Sequence, residues 1–178
     1  MKTTALLLLG WMLQLAIPLQ AQTNEWKSFS KKEFGFSISM PTPLQEDSVV
    51  NEVGSFYIAS GEADGIQYNI MVYLQTDTVQ YTLPNAEEEL VNYMGPSELD
   101  ENDWESVAMV LVSREDWKVK DHIGISADLK AWDFFADYKI AYKGLAVGTL
   151  MYQLSAVSVE GETTSEPNSL FFDSFRLD

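Results

Sequence analysis

Residues 138–159 read YKIAYKGLAVGTLMYQLSAVSV, and this stretch carries the clearest alternation and the densest β-forming composition of the chain. In an extended strand, Tyr138, Ile140 and Tyr142 point one way while Lys139, Ala141 and Lys143 point the other, the two-residue period of a half-buried strand. Past Gly144 and Gly148, the chain resumes as Thr149, Met151, Gln153 and Ser155 against Leu150, Tyr152, Leu154 and Ala156. Tyr, Thr, Val and Gly make a helix a poor rival. The pattern predicts a hairpin turning near Val147-Gly148, central to an antiparallel sheet.

Working outward, Ile123 to Trp132 alternates well enough to form another strand leading into that hairpin. Val107 to Val112 reads equally as a buried strand or as the apolar end of a helix, because periodicity does not separate them. Val53 to Ser60 and Ile66 to Leu74 repeat the strand pattern around Gly61-Glu62-Ala63-Asp64-Gly65 and are expected to pair as a hairpin. An opening strand is read at Phe34 to Met40, stopped by Pro41-Thr42-Pro43, since proline donates nothing to a ladder. Gln22 to Lys32 is polar apart from Trp26 and Phe29 and reads as a lead-in. Pro84 to Met94, with acids in the first turn and Leu90, Val91 and Met94 at helical spacing before Gly95-Pro96, carries helix start and stop signals. Glu166-Pro167-Asn168-Ser169 opens a terminal helical turn bearing Leu170, Phe171 and Phe172.

The 178-residue chain has 11 basic and 27 acidic residues, a net charge of −16, and no cysteine. Residues 1–21 have the layout of a secretory signal peptide: Lys2, an apolar run with Leu6-Leu7-Leu8-Leu9, and an end at Ala21. Their removal would leave 157 residues, the size of one domain, and would take Lys2 with it. The expected product is an exported chain, periplasmic or extracellular, of one domain over residues 22–178. No later segment nears about 18 uninterrupted apolar residues, so no stable membrane anchor is expected. Disulfides, a thiol nucleophile and a lipidated cysteine are excluded by composition. So acidic a surface repels phosphate backbones and anionic headgroups, which argues against nucleic acid as a partner and favours a monomer.

Strands before and after a helical middle, joined by sequential hairpins, predict an α+β fold: a central antiparallel sheet of about six strands with helices packed on its faces. Three marks recur in order: Phe34-Gly35-Phe36-Ser37-Ile38-Ser39-Met40-Pro41-Thr42-Pro43, then Leu150-Met151-Tyr152-Gln153-Leu154, then Phe171-Phe172-Asp173-Ser174-Phe175. In these the chain resembles bacterial exported proteins with a PsbP-like (Mog/PsbP-type) domain, over nearly all of residues 22–178. The resemblance implies a PsbP-like sandwich and binding or accessory work, since relatives include an extrinsic stabilising subunit of photosystem II and a Ran-binding protein. It carries over no functional residue, because the marks are packing segments.

Chemistry is sparse. His122 is the one histidine, and a serine nucleophile needs such a base. The Gly-x-Ser-x-Gly turn, the phosphate-cradling glycine loop and the His-Glu-x-x-His run are absent. Structural zinc wants about four histidine or cysteine ligands, and the chain offers His122 alone. Calcium takes oxygen ligands, so Glu98, Asp100, Asp103 and Glu105, with Glu101 among them, form a weak calcium candidate that lacks the EF-hand order. Asp133 and Asp137 have the spacing for a carboxylate pair of the glycosidase kind. Trp132, Phe134, Phe135 and Tyr138 flank them as core or as an edge, with Trp132, Phe134 and Tyr138 the candidate binding patch, and Trp104 and Trp117 either cap the core or stack on a ligand. The expectation is a non-catalytic binding or accessory protein without cofactor, acting on an unknown protein or small ligand through a face or edge of its sheet. An acidic hydrolase using Asp133 and Asp137, or a weak calcium-binding envelope protein, are the alternatives.

Overall fold

A computed structural model describes residues 25–51, 54–75, 107–161, 167 and 169–178. In chain order, β1 (Trp26–Lys31) and β2 (Phe36–Pro41) flank a 3₁₀ turn at Lys32–Phe34, and β3 (Gln45–Asn51), β4 (Gly54–Ala63) and β5 (Ile66–Gln75) follow. Further along come β6 (Ala108–Val119), β7 (His122–Trp132), β8 (Asp137–Val147) and β9 (Leu150–Val159). A short helix α1 (Ser169–Asp173) and β10 (Arg176–Leu177) complete the described elements. Seven strands make one antiparallel sheet in the order β3-β4-β5-β9-β8-β7-β6, and β1-β2-β10 make a second, three-stranded one.

Turn chemistry sets the hairpins. Asp64 and Gly65 both have positive φ, 55° and 75°, the two-residue arrangement whose twist matches the flanking strands. The expected five-residue link between β4 and β5 is therefore two residues long, and β4 runs on to Ala63. Gly148, at φ 61°, turns β8 into β9 where the alternation places the turn.

Register then sorts the side chains of the large sheet. Ala59, Ile70, Leu154 and Lys143 lie in line across β4, β5, β9 and β8 on what we call the inner face, and Ala141 shares that face opposite Ala156. That face packs on Phe36, Ile38 and Met40 of β2 and on Phe171, Phe172, Phe175 and Leu177. Ring contacts bind the two sheets: Trp26 meets Tyr68 at 5.0 Å, Tyr68 meets Phe171 at 5.2 Å, and Phe36 meets Tyr152 and Phe175 at 6.1 Å each. The Tyr152 hydroxyl donates to the Phe34 carbonyl at 2.7 Å, and the Ser39 amide donates to Ser174 Oγ at 2.7 Å. Burial, with the Asp178 charge adding to it, pushes the Tyr152 phenol up to about 12. At the β3 end, Lys31 Nζ meets Glu46 Oε2 at 2.7 Å and Tyr57 donates its hydroxyl to the same oxygen at 2.8 Å. The outer face carries a second apolar cluster, Val107, Met109, Ile125, Ala127, Leu129 and Ala131.

The expected α+β architecture is corrected. Among the described residues the protein is mostly β, in two antiparallel sheets with one five-residue helix, and the small sheet, together with that one short helix, covers the inner face. The expected lead-in is largely β1: its large side chains, Trp26 and Phe29, stand three apart, so an edge strand paired to β2 on one side hides its two-residue period. β3 escapes notice for the same reason, since Gln45-Glu46-Asp47-Ser48 is the polar sequence of a sheet edge. The opening strand begins at Phe36, not Phe34, because Gly35 at φ 61° ends the 3₁₀ turn first. The ambiguous 107–112 stretch is strand, with Ala108 and Met109 buried and the chain from Leu111 to Asp116 exposed. The helix expected at 84–94 and the signal layout at 1–21 lie outside the described residues.

Candidate functional site

The β7–β8 connection is the part of the expected site that the structure displays. Trp132 and Asp137 pair at the ends of the two strands, and the four residues between them are closed by Asp133. Its Oδ1 accepts from the amides of Phe135 and Ala136 at 2.7 and 2.8 Å, its Oδ2 accepts from the Tyr138 hydroxyl at 3.0 Å, and its own amide donates to the Ala136 carbonyl at 3.0 Å. An aspartate at the head of a turn satisfies backbone donors that would otherwise face water unpaired. The result presents Phe134 and Phe135 outward, 46% and 79% exposed.

The candidate patch is only partly brought together. Trp132 and Tyr138 sit at adjacent positions of the ladder, Tyr138 opposite Ala131 and Trp132 opposite Asp137, so strand alternation sends their half-buried side chains to opposite faces. Phe134 stands between them at the tip, joined by Phe135 of the same aromatic run. Asp133 and Asp137 do not act as a matched pair of free carboxylates, because Asp133 spends both oxygens on the turn. His122 begins β7 beside the Lys120-Asp121 turn, and among the described residues it forms no hydrogen bond to a serine or a carboxylate. Trp117 packs on Phe175 at 5.5 Å while Lys143 Nζ sits 5.3 Å from its ring centre, which makes it a cap on the core. Trp104 and the calcium candidates Glu98, Asp100, Asp103 and Glu105 lie outside the described residues, and among the described ones no cluster of three or more metal-ligating side chains occurs.

A solved structure matches this architecture across most of its length: the solution structure of cyanobacterial PsbP (CyanoP) from Synechocystis sp. PCC 6803, at a TM-score of 0.61, covering 93% of this chain and 99% of that one. The fold is that of a PsbP-like domain. Sequence identity is 8%, so the likeness is one of backbone path and not of side-chain chemistry. A protein of unknown function from Pseudomonas aeruginosa is similar at a TM-score of 0.44 and 9% identity, over 78% of this chain and 85% of that one, a score too low to argue from. No family model matches the chain, and no curated protein matches it in sequence. Among the described residues, no helix is long and apolar enough to cross a membrane.

Proposed function

We propose that this is an exported, non-catalytic PsbP-like protein that binds a protein partner through the tip of its β7–β8 hairpin. The observation that carries the reading is the presentation of Phe134 and Phe135. Two adjacent phenyl rings held in water by a turn with three hydrogen bonds to one carboxylate are a preorganised apolar anchor, and such aromatic anchors dominate protein interfaces. Exposure on this scale costs solubility and returns nothing to the core. The hydrolase alternative finds no support in the turn, where Asp133 is a structural acceptor.

The test places a photoreactive benzoylphenylalanine at position 135 of the full chain in the native host. The expected result is a discrete adduct that excess unlabelled wild-type chain competes away and the Phe134→Ser/Phe135→Ser chain does not. Equal competition by both chains, or no adduct beyond that of the same probe at exposed Lys27, would sink the proposal. Both serine substitutions lie at exposed positions, so unchanged melting of the variant is the check that folding is intact.

A further inference from the structure

The inner face of the large sheet is covered unevenly. The small sheet and α1 pack over β4, β5 and β9, and Phe172 and Phe175 reach as far as Lys143 and Trp117. Towards the β7–β8 tip the same face is open, with Asp128, Lys130 and Lys139 exposed. Register sets Lys130 directly opposite Lys139, two positions behind Trp132 on that face, or about 7 Å back along the strand. Like charges in this arrangement destabilise a sheet. On its other side Lys130 faces Val110 of β6, which offers no counter-charge. The acids nearby are engaged with other groups: Asp128 accepts from Ser113 at 2.6 Å, and Glu160 meets Lys139 at 3.7 Å. Lys143, the third lysine of the face, lies over the Trp117 and Phe172 rings at 5.3 and 5.2 Å. Among the described residues Lys130 is therefore the lysine of this face left without a carboxylate or a ring.

We infer that the protein partner seated on the hairpin tip carries a carboxylate beside its apolar pocket, and that Lys130, seconded by Lys139, receives it. The inference rests on the tip reading above and adds the partner's charge to it. In a chain with 27 acidic and 11 basic residues, an acid across from Lys130 would relieve the pair within the fold, and the sheet holds a second lysine there instead. Side chains directly opposite have Cβ atoms about 4.5–5.5 Å apart, so both ammonium groups can reach one carboxylate. Position supplies the rest. The pair lies on the face of Trp132, behind Phe134 and Phe135, where an interface has the polar rim around its aromatic centre. Asp137, the exposed acid nearest the tip, stands on β8 across from Trp132 and not from Lys130, so the partner's carboxylate approaches over β7 and β6. At physiological salt, charges beyond about 8 Å are largely screened, so a partner on the tip meets this pair and not the net charge of −16.

The experiment takes the full chain with benzoylphenylalanine at position 135 in an extract of the native host and competes its adduct with unlabelled variants. Lys130→Glu should melt no lower than wild type, since it sets opposite charges across from each other, yet about tenfold more of it should be needed to halve the adduct. Lys130→Arg should compete as wild type does, and raising the salt from about 0.05 M to about 0.5 M should narrow the gap left by Lys130→Glu, because screening acts on charge alone. Equal competition by Lys130→Glu and wild type, the result expected of a merely solvated lysine, would overturn the inference and leave the tip reading standing, provided the Phe134→Ser/Phe135→Ser chain still fails to compete. No competable adduct overturns both. A Lys130→Glu chain that melts several degrees below wild type would show the lysine supported from within the fold, which also overturns the inference. Displacement of the adduct by phosphatidylglycerol vesicles and not by phosphatidylcholine ones would assign the pair to lipid phosphate and overturn the protein carboxylate.

Discussion

Replacing Phe36 by alanine tests the two-sheet core directly. Phe36 is wholly buried, and its ring meets Phe29 at 6.2 Å and Tyr152 and Phe175 at 6.1 Å. Those three neighbours belong to β1, β9 and the segment after α1, so the space left by the ring is walled by separate elements that cannot all close in. Buried Phe→Ala changes cost about 3–5 kcal/mol, the larger losses where the site collapses least, and this site belongs in the upper half of that range. A domain of this size loses about 2–4 °C of melting temperature per kcal/mol, which gives a drop of about 8–20 °C against a total stability of about 5–15 kcal/mol. The assay is a pair of thermal melts, Phe36→Ala beside Phe135→Ala, whose ring is 79% exposed and whose loss should stay within about 0.5 kcal/mol. If the Phe36 variant melts within about 4 °C of wild type, roughly 1 kcal/mol, the small sheet is not seated on the large one and the packing argument fails.

Two further perturbations probe the polar links. The hydrogen bond from Lys31, and after it the one from Tyr57, holds the Glu46 carboxyl below the ordinary glutamate range. A depressed carboxyl stabilises the fold above its unfolded pKa and loses that contribution as pH falls through its folded value. Glu46→Gln should therefore cost less than about 1 kcal/mol at neutral pH, the pair being partly exposed. The gap between variant and wild type in urea melts should narrow progressively as pH falls below the ordinary glutamate range of about 4.3; a gap that does not change with pH there refutes the linkage. Asp133→Ala removes the acceptor of the Phe135 and Ala136 amides and should cost about 1–2 kcal/mol, as loss of a capping side chain does. Hydrogen exchange at those two amides should quicken in the variant, and unchanged protection would show that the carboxylate does not hold the tip.

What sequence alone determined was the local order: the 138–159 hairpin with its turn at Gly148, β7 ahead of it, the β4–β5 pair, the terminal helical turn with buried Phe171 and Phe172, and the three packing marks of the PsbP-like fold. These are legible because a strand with one buried face writes a two-residue period into its own residues, and a turn demanding positive φ writes a glycine. Tertiary structure alone decided the rest. β1 and β3 are strands because β2 and β4 offer them backbone partners, and a ladder hydrogen bond leaves no mark on side-chain composition. The placing of Trp132 and Tyr138 on opposite faces, the capture of the Asp133 carboxylate by its own turn, and the alignment of Ser60, Asn69, Ser155 and Tyr142 from four strands all depend on register between segments up to about a hundred residues apart. Register is a relation between strands, set where buried faces meet, and no single strand contains it.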